Sequence, residues 1–95
     1  VLAPDQAADS FAPSGIAVHP HTHQIYLVAS RGKMLVVLSP TGKIEFMKKL
    51  SSETFRQPEG ICFDRDGTLY IASEGKGTKG KIFVFNVNFA NFIVN

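Results

Sequence analysis

The sequence predicts an all-β chain built from two copies of one antiparallel unit, and three observations carry that prediction. Its apolar residues come in short bursts rich in Ile, Val, Phe and Tyr, which suit half-buried strands. No helical period of apolar residues persists over three turns. The chain also repeats itself: FAPSGIAVHPHTHQIYLVAS, residues 11–30, returns as FRQPEGICFDRDGTLYIASEG, residues 55–75.

The repeat sets the organisation. Pro13-Ser14-Gly15-Ile16 matches Pro58-Glu59-Gly60-Ile61, 45 residues on. Residues 25–28 match 69–72 at a spacing of 44, and residues 32–37 are matched to 80–85 at a spacing of 48. These shifts fall in turns, where insertions do least harm. A strand-built repeat in the mid-forties is the signature of a β-propeller blade. The expectation is therefore a β-propeller fragment of about two four-stranded antiparallel blades. Residues 1–10 are a linker, 11–50 one blade and 51–95 the second.

Each element has a local reason. In the first copy, strands are expected at 15–19, 25–30, 34–39 and 43–49; in the second, at 60–64, 68–73 and 81–87, with 89–94 a fourth strand or a frayed tail. Asp66-Gly67 supplies the positive φ that a tight hairpin needs. Thr41-Gly42 does the same after Pro40, whose φ is preset. Pro13 and Pro58 are placed just before the innermost strands, where a missing N–H does little harm. Gly15 and Gly60 follow, where backbones are expected to crowd. Residues 51–55 can make one helical turn at most.

Ninety-five residues make one small domain with a thin core. A hydrophobic content of 44% and a charged content of 19% are ordinary globular values and argue against disorder. The net charge of +2 comes from lysines and arginines scattered among turns, with no basic stripe or reader motif, so no nucleic-acid partner is expected. The single cysteine, Cys62, cannot make an internal disulfide; between Ile61 and Phe63 it reads as a small buried core residue. No apolar run approaches the roughly 18 residues of a membrane span, and no signal peptide opens the chain. The chain starts on Val rather than Met, as a processed product or a fragment would.

Several motifs read more plainly than they look. Residues 75–80 fit G-x-G-x-x-G, and with Lys81 nearly a phosphate-binding loop. Both need a helix next, and IFVFN is a strand, so a lysine-rich hairpin is the better reading. His19, His21 and His23 alternate as zinc ligands in a strand would, yet the repeat aligns them with the Asp64-Arg65-Asp66-Gly67 turn, so an exposed polar hairpin is expected. That second turn looks like a piece of a calcium loop but lacks its terminal Glu, and reads as an aspartate-rich turn. The aligned pairs Tyr26 and Tyr70, Ile16 and Ile61 read as core.

QPEGICFDRDGTLYIASEG resembles the C-terminal blade of the SdiA-regulated family of bacterial six-bladed propellers, within the wider NHL-like group. PSGIAVHPHTHQIYLVASRGKMLVVLSPTGKI resembles the blade before it. The shared pattern is Pro-x-Gly-Ile, then an Asp-Gly or His-Pro turn, then Leu-Tyr-Ile, and it covers residues 11–85. The resemblance implies that position 59 points toward a central channel, where such propellers hold ligand or metal. Glu59 is then the leading candidate for ligand or metal contact. Its repeat partner Ser14 is a second ligand candidate, and Glu74 a weaker metal companion. Some related propellers are calcium-dependent lactonases or esterases, which makes calcium the implied cofactor. A hydrolase also needs a general base near the metal, and Ser14 does not supply one. The favoured reading is a non-catalytic module binding a small molecule or protein in the bacterial periplasm or cell envelope, with a calcium-dependent lactonase- or esterase-like hydrolase as the alternative. Exposed blade edges would further favour oligomers.

Overall fold

A computed structural model describes residues 12–75, 77 and 79–86. Seven strands form two antiparallel sheets. The first sheet runs in chain order through β1 (Gly15–Val18), β2 (Ile25–Ala29), β3 (Met34–Leu38) and β4 (Ile44–Lys49). The second runs through β5 (Gln57–Phe63), β6 (Thr68–Glu74) and β7 (Lys81–Asn86). The fourth strand expected at 89–94 and the linker at 1–10 lie outside the described residues. Among the described residues no helix is long and apolar enough to cross a membrane. Between the sheets, Phe55 N–H donates to Ser51 C=O at 2.8 Å, the single helical turn that the link allows.

Hairpin chemistry sets the strand limits. At residues 64–68, Gly67 N–H donates to Asp64 C=O at 3.0 Å and Asp64 N–H to Thr68 C=O at 3.1 Å, with Gly67 at φ 87°. This three-residue loop is a turn closed by a left-handed glycine. The equivalent loop of the first sheet is one residue longer. There His23 N–H donates to His19 C=O at 3.0 Å, His19 N–H to Gln24 C=O at 2.9 Å, and His23 takes the left-handed place at φ 61°. That extra residue is why the repeat spacing falls from 45 to 44.

The core fills the gap between the sheets. Tyr26, Val28, Leu35 and Val37 of the first sheet are buried against Leu69 and Ile71 of the second, with Leu50 and Phe55 closing the link side. Phe46, Ile61, Phe63, Phe83 and Phe85 pack around them. β1 and β2 both lie against β5. The opposite faces carry exposed Ile16, Val18, Ile44 and Met47 on one sheet and Ile82 and Val84 on the other.

Four sequence expectations change. Tyr26 pairs with Val37, and Tyr70 with Val84, so the third strands correspond at a spacing of 47 rather than 48. A one-residue slip would have exchanged the two faces of β7. β5 starts at Gln57, so Pro58 lies inside the strand, buried, rather than ahead of it. Cys62 is exposed: strand alternation turns Ile61 and Phe63 to the core and Cys62 away from it. Aligned residues also differ in burial, because only one of two equivalent faces is covered. Tyr26 is buried while Tyr70 is half-buried, and Ile61 is half-buried while Ile16 is exposed.

Candidate functional site

The candidate residues gather where β1 and β5 begin side by side. Pro58 pairs with Ser73 and Gly60 with Ala72, leaving Glu59 as the extra residue of a β-bulge. Pro58 has no N–H to continue the ladder, which makes a bulge here natural. Just before it, Gln57 N–H donates to the buried Ser73 Oγ at 3.0 Å. Glu59 is exposed, and among the described residues no hydrogen bond or ion pair engages its carboxylate. The bulge thus presents one free acidic group at the start of a strand.

Ser14 stands beside it. Its hydroxyl lies 3.0 Å from Pro58 C=O and 3.2 Å from Val28 C=O, so its one proton serves either carbonyl, and it accepts from Ser30 N–H at 3.0 Å. Ser14 is therefore a staple joining the sheets: the repeat counterpart of Glu59, it bonds the carbonyl of Pro58 just before it. Gly15 permits the approach: a Cβ built there would meet Glu59 C=O at 2.7 Å, Ile61 Cγ2 at 3.1 Å and Val28 Cγ1 at 3.2 Å.

Glu74 pairs with Gln57 at the far end of β6 and is exposed. It lines a shallow cleft of about 230 Å³, counting the open solvent within it, between the 51–56 link and the β6–β7 loop. Glu53, Arg56, Lys79 and Lys81 line it too, so its charge is mixed. β7 follows this loop directly, as the hairpin reading requires. Among the described residues no three His, Cys, Asp or Glu side chains lie together as a metal site would need. The carboxylates present would give a calcium ion at most part of the six to eight oxygens it takes.

The other ends of β1 and β5 carry the polar turns. His19, expected in an exposed hairpin, is 7% exposed. Its ring sits 4.9 Å from Phe63 and 6.4 Å from Tyr26, centroid to centroid, because the longer loop folds back over the sheet junction. Nδ1 accepts from His21 N–H at 3.1 Å and from Thr22 N–H at 3.2 Å. Desolvation, then His21 and His23, hold its pKa below the ordinary 6.5. Across the junction, His21 Nε2 donates to Arg65 C=O at 2.8 Å. Asp64 Oδ1 accepts from Asp66 N–H and Thr68 N–H, both at 3.0 Å, and Oδ2 from Tyr70 O–H at 3.0 Å. The Thr68 bond is the main reason its carboxyl sits below the usual range, and the Asp64 bond is the main reason the Tyr70 phenol sits above its own. Burial and then Glu45 raise Tyr26. Sequence reasoning found this turn pair but missed its buried imidazole.

Two stacked antiparallel sheets, each a repeat of the other with its innermost strand at the shared junction, are blades of a β-propeller. Solved structures agree on the fold: twelve chains match, among them a glucose dehydrogenase at 20% identity and a TM-score of 0.60, covering 80% of this chain. The chain spans a quarter of that structure's length. No curated protein matches. The sequence profile of the SdiA-regulated family matches residues 5–76, and the chain belongs to that family.

Proposed function

We propose that the chain is part of a non-catalytic β-propeller module that binds a small molecule or a protein in the bacterial cell envelope, with Glu59 as its contact residue. The observation that carries this reading is the bulge. It frees an acidic side chain from the β-ladder at the start of an innermost strand, while Ser14 and Gly15 fix the backbone beneath it. The repeat does not demand an acid there, since the first copy has Ser14. The compartment rests on the family alone.

A calcium-dependent hydrolase is the competing reading, since Glu59 and Glu74 are exposed carboxylates on paired strands. One experiment separates the two. Melting temperature is followed against calcium and a panel of small anionic, cationic and neutral ligands, beside turnover of a chromogenic ester and a lactone. A ligand present at a hundred times its Kd stabilises by about 2.7 kcal/mol. Binding predicts stabilisation by a ligand that Glu59→Ala abolishes, without turnover. Calcium-dependent turnover lost in Glu59→Ala would replace this reading with the hydrolase. A melting temperature unmoved by the whole panel would leave Glu59 without a role.

A further inference from the structure

His19 and Asp64 occupy the same place in the repeat and do the same work with different chemistry. Each ends the innermost strand of its sheet, and each turns its side chain back to accept two backbone N–H groups of the following loop. Asp64 does so with a carboxylate and His19 with an imidazole nitrogen. A carbonyl-free acceptor of this kind works only while the ring is neutral with its proton on Nε2, because a protonated Nδ1 becomes a donor facing two donors. His19 is also buried, whereas Asp64 is partly open to solvent.

The ring sits on the junction itself. It packs on Phe63 of β5, and its Nε2 edge lies so close to the backbone of Gly67 that a Cβ there would come within 3.0 Å of it. His21, held in the same loop, reaches across to Arg65 C=O. The 19–24 loop is therefore held to the 64–67 turn by the packed His19 ring and by the His21 bond, and His19 Nδ1 fixes the loop backbone that carries both. We propose that His19 is an acid-operated latch: neutral, it holds one end of the two sheets closed, and protonated, it releases that loop from the second sheet.

Titratable and charged groups face His19 from its own loop and from each element packed near it. Its own loop brings His21 and His23, β2 brings Tyr26, and β4 brings Glu45, bonded to Gln24. The facing turn brings Asp64, Arg65 and Asp66. Asp64 stays ionised until far lower pH, so the second turn keeps its acceptor when the first loses one. The sign follows from linkage. Because the folded chain holds the His19 proton less readily than the unfolded chain, its contribution to stability is whole above about pH 6.5 and is drawn down as pH falls below it.

The test is a pH titration by NMR on the ¹⁵N-labelled chain over about pH 8 to 5, the range in which histidine titrates. The Thr22 amide should move with a midpoint below that of free histidine, while the Asp66 and Thr68 amides hold still. The imidazole ¹⁵N shifts should show the Nε2–H tautomer at neutral pH. His21→Gln, which keeps a donor toward Arg65, should leave the Thr22 titration in place. His19→Asn puts an oxygen near the Nδ1 position and cannot titrate, so its melting temperature should lose the acid-side fall of the natural chain. An Nδ1–H tautomer, a Thr22 amide indifferent to pH, or an unchanged acid-side fall in His19→Asn would overturn the proposal. Should His19→Asn fail to fold, the tautomer and the Thr22 titration of the natural chain decide alone.

Discussion

Replacing Gly15 by alanine tests how closely the two sheets must approach. The backbone at Gly15 needs no glycine for its own sake, since it is not among the residues at positive φ. Any cost is steric. The new methyl would stand 2.7 Å from Glu59 C=O, a main-chain atom held by the bulge, with Ile61 Cγ2 and Val28 Cγ1 at 3.1 and 3.2 Å on its other sides. No flexible side-chain end can yield, so β1 must move off β5. Overpacking of this kind costs about 1–3 kcal/mol. Retreat of β1 also stretches the Ser14–Pro58 hydrogen bond, worth roughly 0.5–1.5 kcal/mol. The combined loss, about 1.5–4.5 kcal/mol, is a large share of the stability of a small domain. In a domain of this size each kcal/mol shifts Tm by roughly 4–8 °C, so Gly15→Ala should melt at least about 6 °C lower. Gly60→Ala is the control. Its Cβ would meet only the Ala72 methyl, at 3.2 Å, on the open side of the second sheet, and the expected loss is smaller. Urea and thermal unfolding followed by circular dichroism measure both. A Gly15→Ala chain as stable as the natural one, or less affected than Gly60→Ala, would refute the close approach.

Two further outcomes are expected. Cys62 should react with a thiol reagent such as DTNB in native buffer as fast as it does in denaturant; labelling that waits for unfolding would mean the residue is covered. Tyr70→Phe removes one of the bonds that lower the Asp64 carboxyl, so the Asp64 carbon resonance should titrate at higher pH in the variant. The sign for stability follows: the Asp64 contribution is present above its unfolded value and lost as pH falls through its folded one, so Tyr70→Phe, which narrows the gap between the two, should lose less stability on acidification than the natural chain and complete that loss at higher pH.

The architecture was legible because the duplication is carried by residues with local duties. Pro13 and Pro58 mark the same point of each copy, as do Tyr26 and Tyr70, and Gly67 marks the turn of the second. What was not legible came from the faces. In a stacked sheet both sides are apolar, so the alternation that normally tells inside from outside is weak. Cys62 between two apolar neighbours looked buried for that reason, although period-two geometry puts it opposite them. The third-strand spacing was misjudged by one because the β6–β7 loop is longer than its counterpart and leaves no fixed point. Glu59 stood out in the sequence as an acid unmatched by the repeat, but that it occupies a bulge depends on how Pro58 meets Ser73. The imidazole of His19 was placed in the right turn and on the wrong side of the surface. Its cover comes from Phe63 and Gly67, more than forty residues away.

The outward side of the second sheet follows the same template as the inward side of the first. Gly60 stands for Gly15, Cys62 for Ala17, Tyr70 for Tyr26, Ala72 for Val28 and Val84 for Val37. Any layer laid on it would meet the demands that the second sheet already satisfies: an aromatic ring to stand edge-on to the tyrosine, as Phe63 does to Tyr26 at 86°, and a main-chain carbonyl seated over the glycine. The contact between the two sheets thus sets out, in this chain's own residues, what packing on that outward face would require.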